Sequence, residues 1–297
     1  MDLVKRVALL RWHFTRIAGR HFFDWKSMRL KLVWKYFRWS VTRLALFYGL
    51  VVSVLYVEQA RFIYQPSVTS PARWAAEARQ IGAQVLPGSN ALVIEPAHVD
   101  SGTKTAILFH GNAGDAWMRL SLASAFTSRD YRLILAEYPG YGPNPGEPSQ
   151  KSLTDAALKL TDQVIRHWPG QLTLVGESLG TGVVAQIAAA RPTMVEKLVL
   201  LTPFRSLTET AARKMWFVPV SWLLKSPFDS STALQHYRGR SAVLVAGHDE
   251  LVGPAAGLAL QEQLAGQGDS TLVLLPTAGH NTWQFAVTAK QWDQLLH

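Results

Sequence analysis

The chain has 297 residues, of which 48% are hydrophobic, and it carries a formal net charge of +9. Eleven basic and two acidic residues lie within positions 1–43, whereas the remaining 19 basic and 19 acidic residues balance each other. The length fits one large domain with an appendage. Because the main body is neutral, it is not expected to bind nucleic acid. The absence of cysteine decides nothing about the redox compartment.

Residues 1–60 predict a membrane anchor that binds lipid. Positions 3–20 and 25–39 carry apolar residues at helical spacing among Lys and Arg, a pattern typical of helices in a lipid headgroup region. The uncharged run from Leu44 to Val57 follows, and extension back to Trp39 brings it near the roughly 20 residues of a spanning helix. A cleaved signal peptide is not expected, because no small-residue cleavage site follows the run. A span, an interfacial helix and a helical hairpin packed on the main body stay open.

The charge distribution also predicts an orientation. Eleven basic residues precede the apolar run, and only Arg61, Arg73 and Arg79 follow it closely. Basic residues next to a span stay in the cytoplasm. We therefore expect a single-pass protein with a cytoplasmic N-terminus and its main body on the opposite, periplasmic or extracytoplasmic, side.

Residues 61–297 alternate between apolar runs and helical patterns. The predicted strands are 91–94, 105–109, 132–136, 172–175, 197–202, 242–246 and 271–275. The predicted helices are 118–128, 152–167, 181–190, 254–267 and 282–296. This alternation predicts an α/β fold with a mainly parallel sheet covered by helices on both faces. Residues 203–238 look irregular and rich in aromatic side chains, which suits either a small lid touching an apolar substrate or a cover for the sheet edge.

A serine motif stands between a predicted strand and a predicted helix. Gly176-Glu177-Ser178-Leu179-Gly180 has the spacing of a sharp turn that lifts a serine hydroxyl out of a sheet. Asp249 and His280 follow later strands, in the order of a Ser-Asp-His triad. We expect Ser178 to be the nucleophile, His280 its base and Asp249 the acid that orients the base. Glu250, next to Asp249, is a rival for the acid.

Such a serine also needs two hydrogen-bond donors for an oxyanion. One is the backbone N–H of Leu179, directly after the nucleophile. The other is expected from Asn112 or Ala113, in the glycine-containing loop 110–114. In that loop His110 is expected to brace the backbone and not to act as a second base.

Motifs for cofactors are weak in this sequence. Residues 180–185 match a dinucleotide fingerprint, but the match begins inside the predicted helix and no acidic residue ends the next strand. The sequence has no H-E-x-x-H, no Walker lysine pattern and no cysteine for a zinc site. We therefore predict neither a cofactor nor a metal.

Several ordered motifs together resemble the α/β-hydrolase superfamily. They are the runs His110-Gly111-Asn112-Ala113-Gly114, Glu137-Tyr138-Pro139-Gly140-Tyr141-Gly142, Gly146-Glu147-Pro148-Ser149 and Gly176-Glu177-Ser178-Leu179-Gly180-Thr181-Gly182. The chain is similar, more narrowly, to the membrane-anchored branch that carries a hydrophobic N-terminal helix ahead of an HGNA loop. The resemblance covers roughly residues 61–297.

This resemblance implies the same triad, with the backbone N–H groups of Asn112 and Leu179 as oxyanion donors. Members of the branch include acyl-ester, lysophospholipid and protein-depalmitoylating hydrolases, and some serine peptidases share the fold. Gly253 stands where the branch often has proline after the acid, which loosens one turn and leaves the triad intact.

The sequence therefore predicts a membrane-anchored serine hydrolase, with an anchor over residues 1–60 and a hydrolase domain over 61–297. It would cleave carboxylic esters or thioesters of a small acyl-ester or lipid-like substrate through an acyl-enzyme on Ser178. Two alternatives stay open. One is a serine peptidase or amidase with the same triad, and the other is a catalytically silent, membrane-tethered binding module.

Overall fold

The computed structural model describes residues 25–297, with side chains from residue 28 onward. The first of the two predicted amphipathic stretches therefore lies outside the described residues. The chain divides into two compact units between Leu55 and Tyr56, a few residues before the boundary predicted at residue 60.

A single long helix, α1 (Trp25–Ile63), joins the second amphipathic stretch to the apolar run. Its 39 residues give a length of about 58 Å at about 1.5 Å per residue, which exceeds the roughly 30 Å of a bilayer core. Residues 29–50 are exposed to solvent. The described part is thus one continuous helix and not a hairpin, and Met28–Ile63 is long and apolar enough to cross a membrane.

The remaining described residues form an α/β unit. Its strands are β1 (Gln65–Pro66), β2 (Gln84–Leu86), β3 (Ala91–Ile94), β4 (Lys104–Phe109), β5 (Ala113–Gly114), β6 (Tyr131–Ala136), β7 (Leu172–Glu177), β8 (Val195–Leu201), β9 (Arg240–Ala246) and β10 (Ser270–Leu275). Its helices are α2 (Pro71–Gln80), α3 (Ala123–Thr127), α4 (Gln150–His167), α5 (Leu179–Ala190), α6 (Leu207–Lys214), α7 (Val220–Leu223), α8 (Ser230–Ala233), α9 (Pro254–Ala265), α10 (Trp283–Ala286) and α11 (Ala289–Leu296). A 3-10 helix, Ala116–Leu122, precedes α3.

The central sheet has the strand order β10-β9-β8-β7-β4-β6-β3-β2. The strands from β10 to β6 are parallel, and β3 and β2 extend the sheet in antiparallel pairs. All seven predicted strands are confirmed, and β2 was not predicted. Because the carboxyl ends of parallel strands share one edge, the loops after β4, β7, β9 and β10 meet there.

Helices cover both faces of this sheet, as predicted. In β4 the side chains alternate: Ile107 and Phe109 join a core under α4, α5 and α9, whereas Ala106 and Leu108 join a second core under α3 and α11. Burial on both faces explains why these strands are apolar throughout.

Three predicted segments differ in detail, and capping side chains explain each difference. The predicted helix 118–128 begins earlier as a 3-10 turn, because Asp115 accepts a hydrogen bond from the Met118 N–H (3.2 Å). The predicted helix 282–296 breaks before Thr288, which starts α11 with a capping box. The segment 203–238, expected to be irregular, holds α6, α7 and α8, and Ser206 caps α6.

Two tryptophans of that segment do not cover the sheet edge, whereas Phe204, Phe228 and Tyr237 are buried in the core. Trp216 is 84% exposed and Trp222 is 87% exposed. The alternative that they pack over the edge of the sheet is therefore wrong for these two side chains. Whether the segment moves as a lid stays a prediction.

Candidate active site

The serine turn is fixed by two glycines and a strained backbone. A β-carbon at Gly176 would lie 2.6 Å from the Gly180 carbonyl oxygen, and one at Gly180 would overlap the carbonyl oxygen of Phe109 in β4. Between them Ser178 has φ +48° and ψ −111°, a conformation that non-glycine residues rarely adopt. Its N–H donates to the Leu201 carbonyl (2.9 Å), which ties the turn to β8. The motif thus needs glycine on both sides, and the half-buried serine stands at the start of α5.

The structure brings the three predicted triad residues together at the carboxyl edge of the sheet. The His280 Nε2 atom lies 2.8 Å from Ser178 Oγ, and its Nδ1 atom lies 2.7 Å from Asp249 Oδ2. Because a carboxylate only accepts, Nδ1–H donates to Asp249 and the serine hydroxyl donates to Nε2. The histidine can therefore take a proton from the serine.

Asp249, and not its neighbour Glu250, contacts the imidazole. Its other oxygen, Oδ1, accepts hydrogen bonds from the N–H groups of Leu251, Val252 and Gly253 (2.8–3.3 Å). Burial acts to raise the pKa of this carboxyl, but the hydrogen bond and charge of His280 and the backbone donors outweigh it, so the pKa lies below its ordinary value. Glu250 is exposed, and its side chain accepts from the His280 backbone N–H at 3.4 Å instead of contacting the ring. The aspartate is thus held ionised against the ring.

The loop of residues 110–114, here called the oxyanion loop, lies beside the serine. A β-carbon at Gly111 would lie 3.5 Å from Ser178 Cβ. His110 Nδ1–H donates to the Gly111 carbonyl (2.8 Å), and in a trans peptide this turns the N–H of Asn112 the opposite way. Within residues 25–297, neither this N–H nor that of Leu179 makes a hydrogen bond. Both predicted donors are therefore free, and His110 braces the loop as expected.

An ion pair that the sequence analysis missed holds the same loop. Arg119 Nε donates to Glu177 Oε2 (2.7 Å), and its Nη1 donates to the Ala113 carbonyl (3.2 Å). Glu177 Oε2 also accepts from the Gly111 N–H (3.3 Å). Both charged side chains are largely buried, with 14% and 13% exposure. The residue before the serine is thus joined to the oxyanion loop at two points.

Two further contacts fix the far side of the loop. His110 Nε2 lies 3.1 Å from the fully buried carboxylate of Glu137, which also accepts from the Ala116 N–H (3.0 Å). Strand β1 pairs with β5, and the Gln65 N–H donates to the Asn112 carbonyl (2.9 Å). Glu137 was quoted for the family resemblance, but no role was predicted for it.

No group of three metal-ligating side chains gathers in the described part of the chain. The polar groups around Ser178 are those of a proton-transfer site, and they contact one another directly.

Comparisons with known proteins agree with this architecture. Residues 105–229 match the family profile described as the alpha/beta hydrolase fold. An uncharacterized protein of Mycobacterium tuberculosis is 31% identical over 253 residues, covering 78% of this chain and 83% of that protein. The lysophosphatidylserine lipase ABHD12 of Bos taurus is 30% identical over 144 residues, which covers 44% of this chain but only 36% of the lipase.

Solved structures share the fold at low sequence identity. Est1E from Butyrivibrio proteoclasticus, with bound ferulic acid, has a TM-score of 0.57 at 17% identity, covering 69% of this chain and 94% of Est1E. The Pyrococcus furiosus esterase Pf2001 has a TM-score of 0.57 at 15% identity, covering 79% of this chain and 99% of the esterase. From its profile match, its relatives and its strand topology, the chain belongs to the α/β-hydrolase superfamily.

Proposed function

We propose that this protein is a membrane-anchored serine hydrolase that cleaves carboxylic esters or thioesters. The observation that supports this most directly is the continuous set of hydrogen bonds from Ser178 Oγ through His280 to Asp249, at 2.8 and 2.7 Å. A serine becomes nucleophilic only when an adjacent base can remove its proton, and these distances allow that transfer.

The proposed reaction begins when Ser178 Oγ attacks the substrate carbonyl carbon and His280 Nε2 takes the hydroxyl proton. The carbonyl oxygen becomes an oxyanion, which accepts hydrogen bonds from the backbone N–H groups of Asn112 and Leu179. Asp249 stabilises the imidazolium. The imidazolium then protonates the leaving alcohol or thiol, and an acyl-serine ester remains. Water, deprotonated by His280, attacks this ester by the same route and releases the acid.

The substrate class rests on relatives and on the anchor. The similar lipase from Bos taurus is named for lysophosphatidylserine, a phospholipid with one acyl chain in ester linkage to glycerol. A hydrolase held at a membrane meets such lipids at high local concentration. We therefore propose a lipid-like acyl ester, and the ester panel tests this against the alternative of an amide or peptide bond.

Fluorophosphonate labelling combined with an ester panel tests the proposal. The full chain should bind the probe at Ser178 and hydrolyse nitrophenyl esters faster than an aminoacyl nitroanilide. Ser178→Ala and His280→Ala should each remove nearly all activity, and the double variant should lose no more, because the two residues act as a unit. Asp249→Ala should cost less, and the neighbouring Glu250→Ala serves as a matched control with a mild effect. An active Ser178→Ala protein would rule out the nucleophile.

The anchor part of the proposal rests on α1 and on the charge asymmetry around it. The excess of basic residues before Leu44 favours a cytoplasmic N-terminus and a hydrolase unit across the membrane. A reporter fused after His297 should therefore be active outside the cytoplasm. If that reporter is active only in the cytoplasm, the prediction of a membrane span is wrong and an interfacial helix is the remaining interpretation.

A further inference from the structure

The segment of residues 207–225, here called the cap segment, exposes large aromatic side chains. It contains α6 and α7 and follows β8 at the carboxyl edge of the sheet. Trp216 and Trp222 are more than four-fifths exposed. The centres of the Trp216 and Phe217 rings lie 6.0 Å apart, in an edge-to-face arrangement. Isolated surface aromatics are common, but two strongly exposed tryptophans within seven positions favour contact with an apolar or interfacial partner.

The charge of the cap segment narrows the chemistry of that partner. Arg213, Lys214 and Lys225 are its basic residues, and Glu209 is its one acidic residue. In the described part of the chain, none of these three cations pairs with a carboxylate. Tryptophan beside unpaired Lys and Arg suits the headgroup region of an anionic bilayer, where the rings lie at the interface and the cations meet phosphates.

The cap segment is also bonded to the chain that emerges from the apolar run. The Lys225 N–H donates to Gln59 Oε1 (2.7 Å), and Gln59 Nε2 donates to the Leu223 carbonyl (3.2 Å). The Lys225 ammonium lies 4.1 Å from the centre of the Tyr56 ring. Tyr56 is the penultimate residue of the uncharged run 44–57 and the first residue of the hydrolase unit, so the cap segment contacts the part of this unit that directly follows the run in sequence.

At its other end the cap segment contacts the loop that carries the proposed acid. Arg213 Nη2 donates to the Leu251 carbonyl (3.1 Å), and Lys214 Nζ lies 3.4 Å from the Glu250 carbonyl oxygen. Both carbonyls belong to the two residues that come next after Asp249 in the chain. The cap segment therefore contacts both the first residues of the hydrolase unit and the loop that carries Asp249.

We propose that the cap segment docks on an anionic lipid surface, with Trp216 and Trp222 in the headgroup region. This inference rests on the proposed anchor and hydrolase activity, and it adds a second, reversible membrane contact beside the site. An acyl ester that leaves the bilayer at this surface would emerge next to the loop that carries Asp249. The docked surface thus selects substrates that reside in the membrane over esters dissolved in water.

A fluorescence experiment tests the contact without using catalysis. Because the chain contains no cysteine, Ser221→Cys gives a unique labelling site beside Trp222. Met194→Cys is the control, since this exposed residue precedes β8 at the opposite edge of the sheet. An environment-sensitive nitrobenzoxadiazole dye on each variant of the full chain is measured in vesicles of phosphatidylcholine with and without phosphatidylglycerol.

The dye at position 221 should shift its emission to the blue, and the shift should be larger in vesicles with phosphatidylglycerol. The dye at position 194 should not shift, and adding Trp216→Ala and Trp222→Ala should abolish the shift at 221. An unshifted dye at 221 would overturn the docking surface. An equal shift in both vesicle types would overturn its anionic selectivity.

A second measurement separates this inference from the proposed activity. In the Trp216→Ala/Trp222→Ala protein, hydrolysis of a long-chain ester embedded in anionic vesicles should fall about tenfold, because the interfacial contact of two large rings is lost. Hydrolysis of a water-soluble nitrophenyl ester should be unchanged. If both rates equal those of the wild type, the inference is wrong. If the wild type hydrolyses neither ester, the proposed activity fails, and the fluorescence experiment alone decides the docking surface.

Discussion

The strained backbone at Ser178 allows its effect on stability to be measured separately from the catalytic role proposed for the hydroxyl. Its φ of +48° lies where a side chain crowds its own backbone, whereas glycine adopts this region freely. Ser178→Ala and Ser178→Gly both remove the hydroxyl and its 2.8 Å contact with His280. Both should therefore be inactive, but only glycine should relieve the strain.

The expected difference in stability follows from two opposing effects. A non-glycine residue in such a conformation costs on the order of 1–3 kcal/mol. The greater freedom of glycine in the unfolded chain costs roughly 0.5–1 kcal/mol. The lost hydrogen bond is common to both variants and cancels. The free energy of unfolding of Ser178→Gly should therefore exceed that of Ser178→Ala by up to about 2.5 kcal/mol, with a central value of about 1 kcal/mol. For a unit of this size the central value raises Tm by about 2–4 °C.

Thermal unfolding of the full chain in detergent micelles, followed by circular dichroism, measures this difference. Ser128 provides a matched control, because its φ of −72° is ordinary for any residue. There the order should reverse, and Ser128→Ala should be the more stable variant by roughly 0.5–1 kcal/mol. If Ser178→Ala is as stable as Ser178→Gly, the turn stores no strain and this reasoning is refuted.

Two further predictions concern charged side chains. Arg119→Ala should lower kcat about tenfold to a hundredfold with little change in KM, because the ion pair with Glu177 no longer holds the oxyanion loop. Arg119→Lys should recover part of the loss. If Arg119→Ala instead loses its cooperative melting transition, the loss of activity reflects misfolding and this reasoning is wrong. Burial and the nearby Arg240 lower the pKa of Lys197 from 10.5 to about 8. Below about pH 8 the charged, buried lysine therefore lowers the free energy of unfolding. This destabilisation disappears as the pH rises from about 8 toward 10.5, because the lysine then loses its proton in the folded state. In urea unfolding near pH 7, Lys197→Met should raise the free energy of unfolding by about 1–2 kcal/mol, allowing for solvent screening, and above about pH 10.5 it should have no effect. The control Lys290→Met, at an exposed position, should leave the stability unchanged at both pH values. An unchanged stability of Lys197→Met near neutral pH would contradict the pKa shift.

The inner parallel strands were predictable from sequence because they are buried on both faces. β4, β7 and β9 are continuous apolar runs, which no alternation with solvent interrupts. β2 was missed because it has three residues, begins with an exposed glutamine and lies at the sheet edge. The break before α11 had a readable signal, since Thr288 and Gln291 have the spacing of a capping box.

In the candidate site, too, some residues could be predicted from the sequence and others could not. Ser178, Asp249 and His280 were predicted because each follows a strand end in a fixed order, and the structure brings these three side chains within hydrogen-bond distance. Arg119 had no such signal. It lies 58 positions from Glu177 in the chain, and only the folded path of the 3-10 helix brings the two side chains together.

For the proposed membrane-anchored enzyme, the pairing of β1 with β5 has a consequence for proteolytic release. A protease that cuts before Tyr56 would leave β1 attached to the hydrolase unit, so the Gln65 N–H would still hold the Asn112 carbonyl. A cut after Pro66 would remove the strand that supports β5, and the released unit should be inactive. The position of the cut, within about ten residues, would thus decide whether shedding produces a diffusible enzyme or ends its activity.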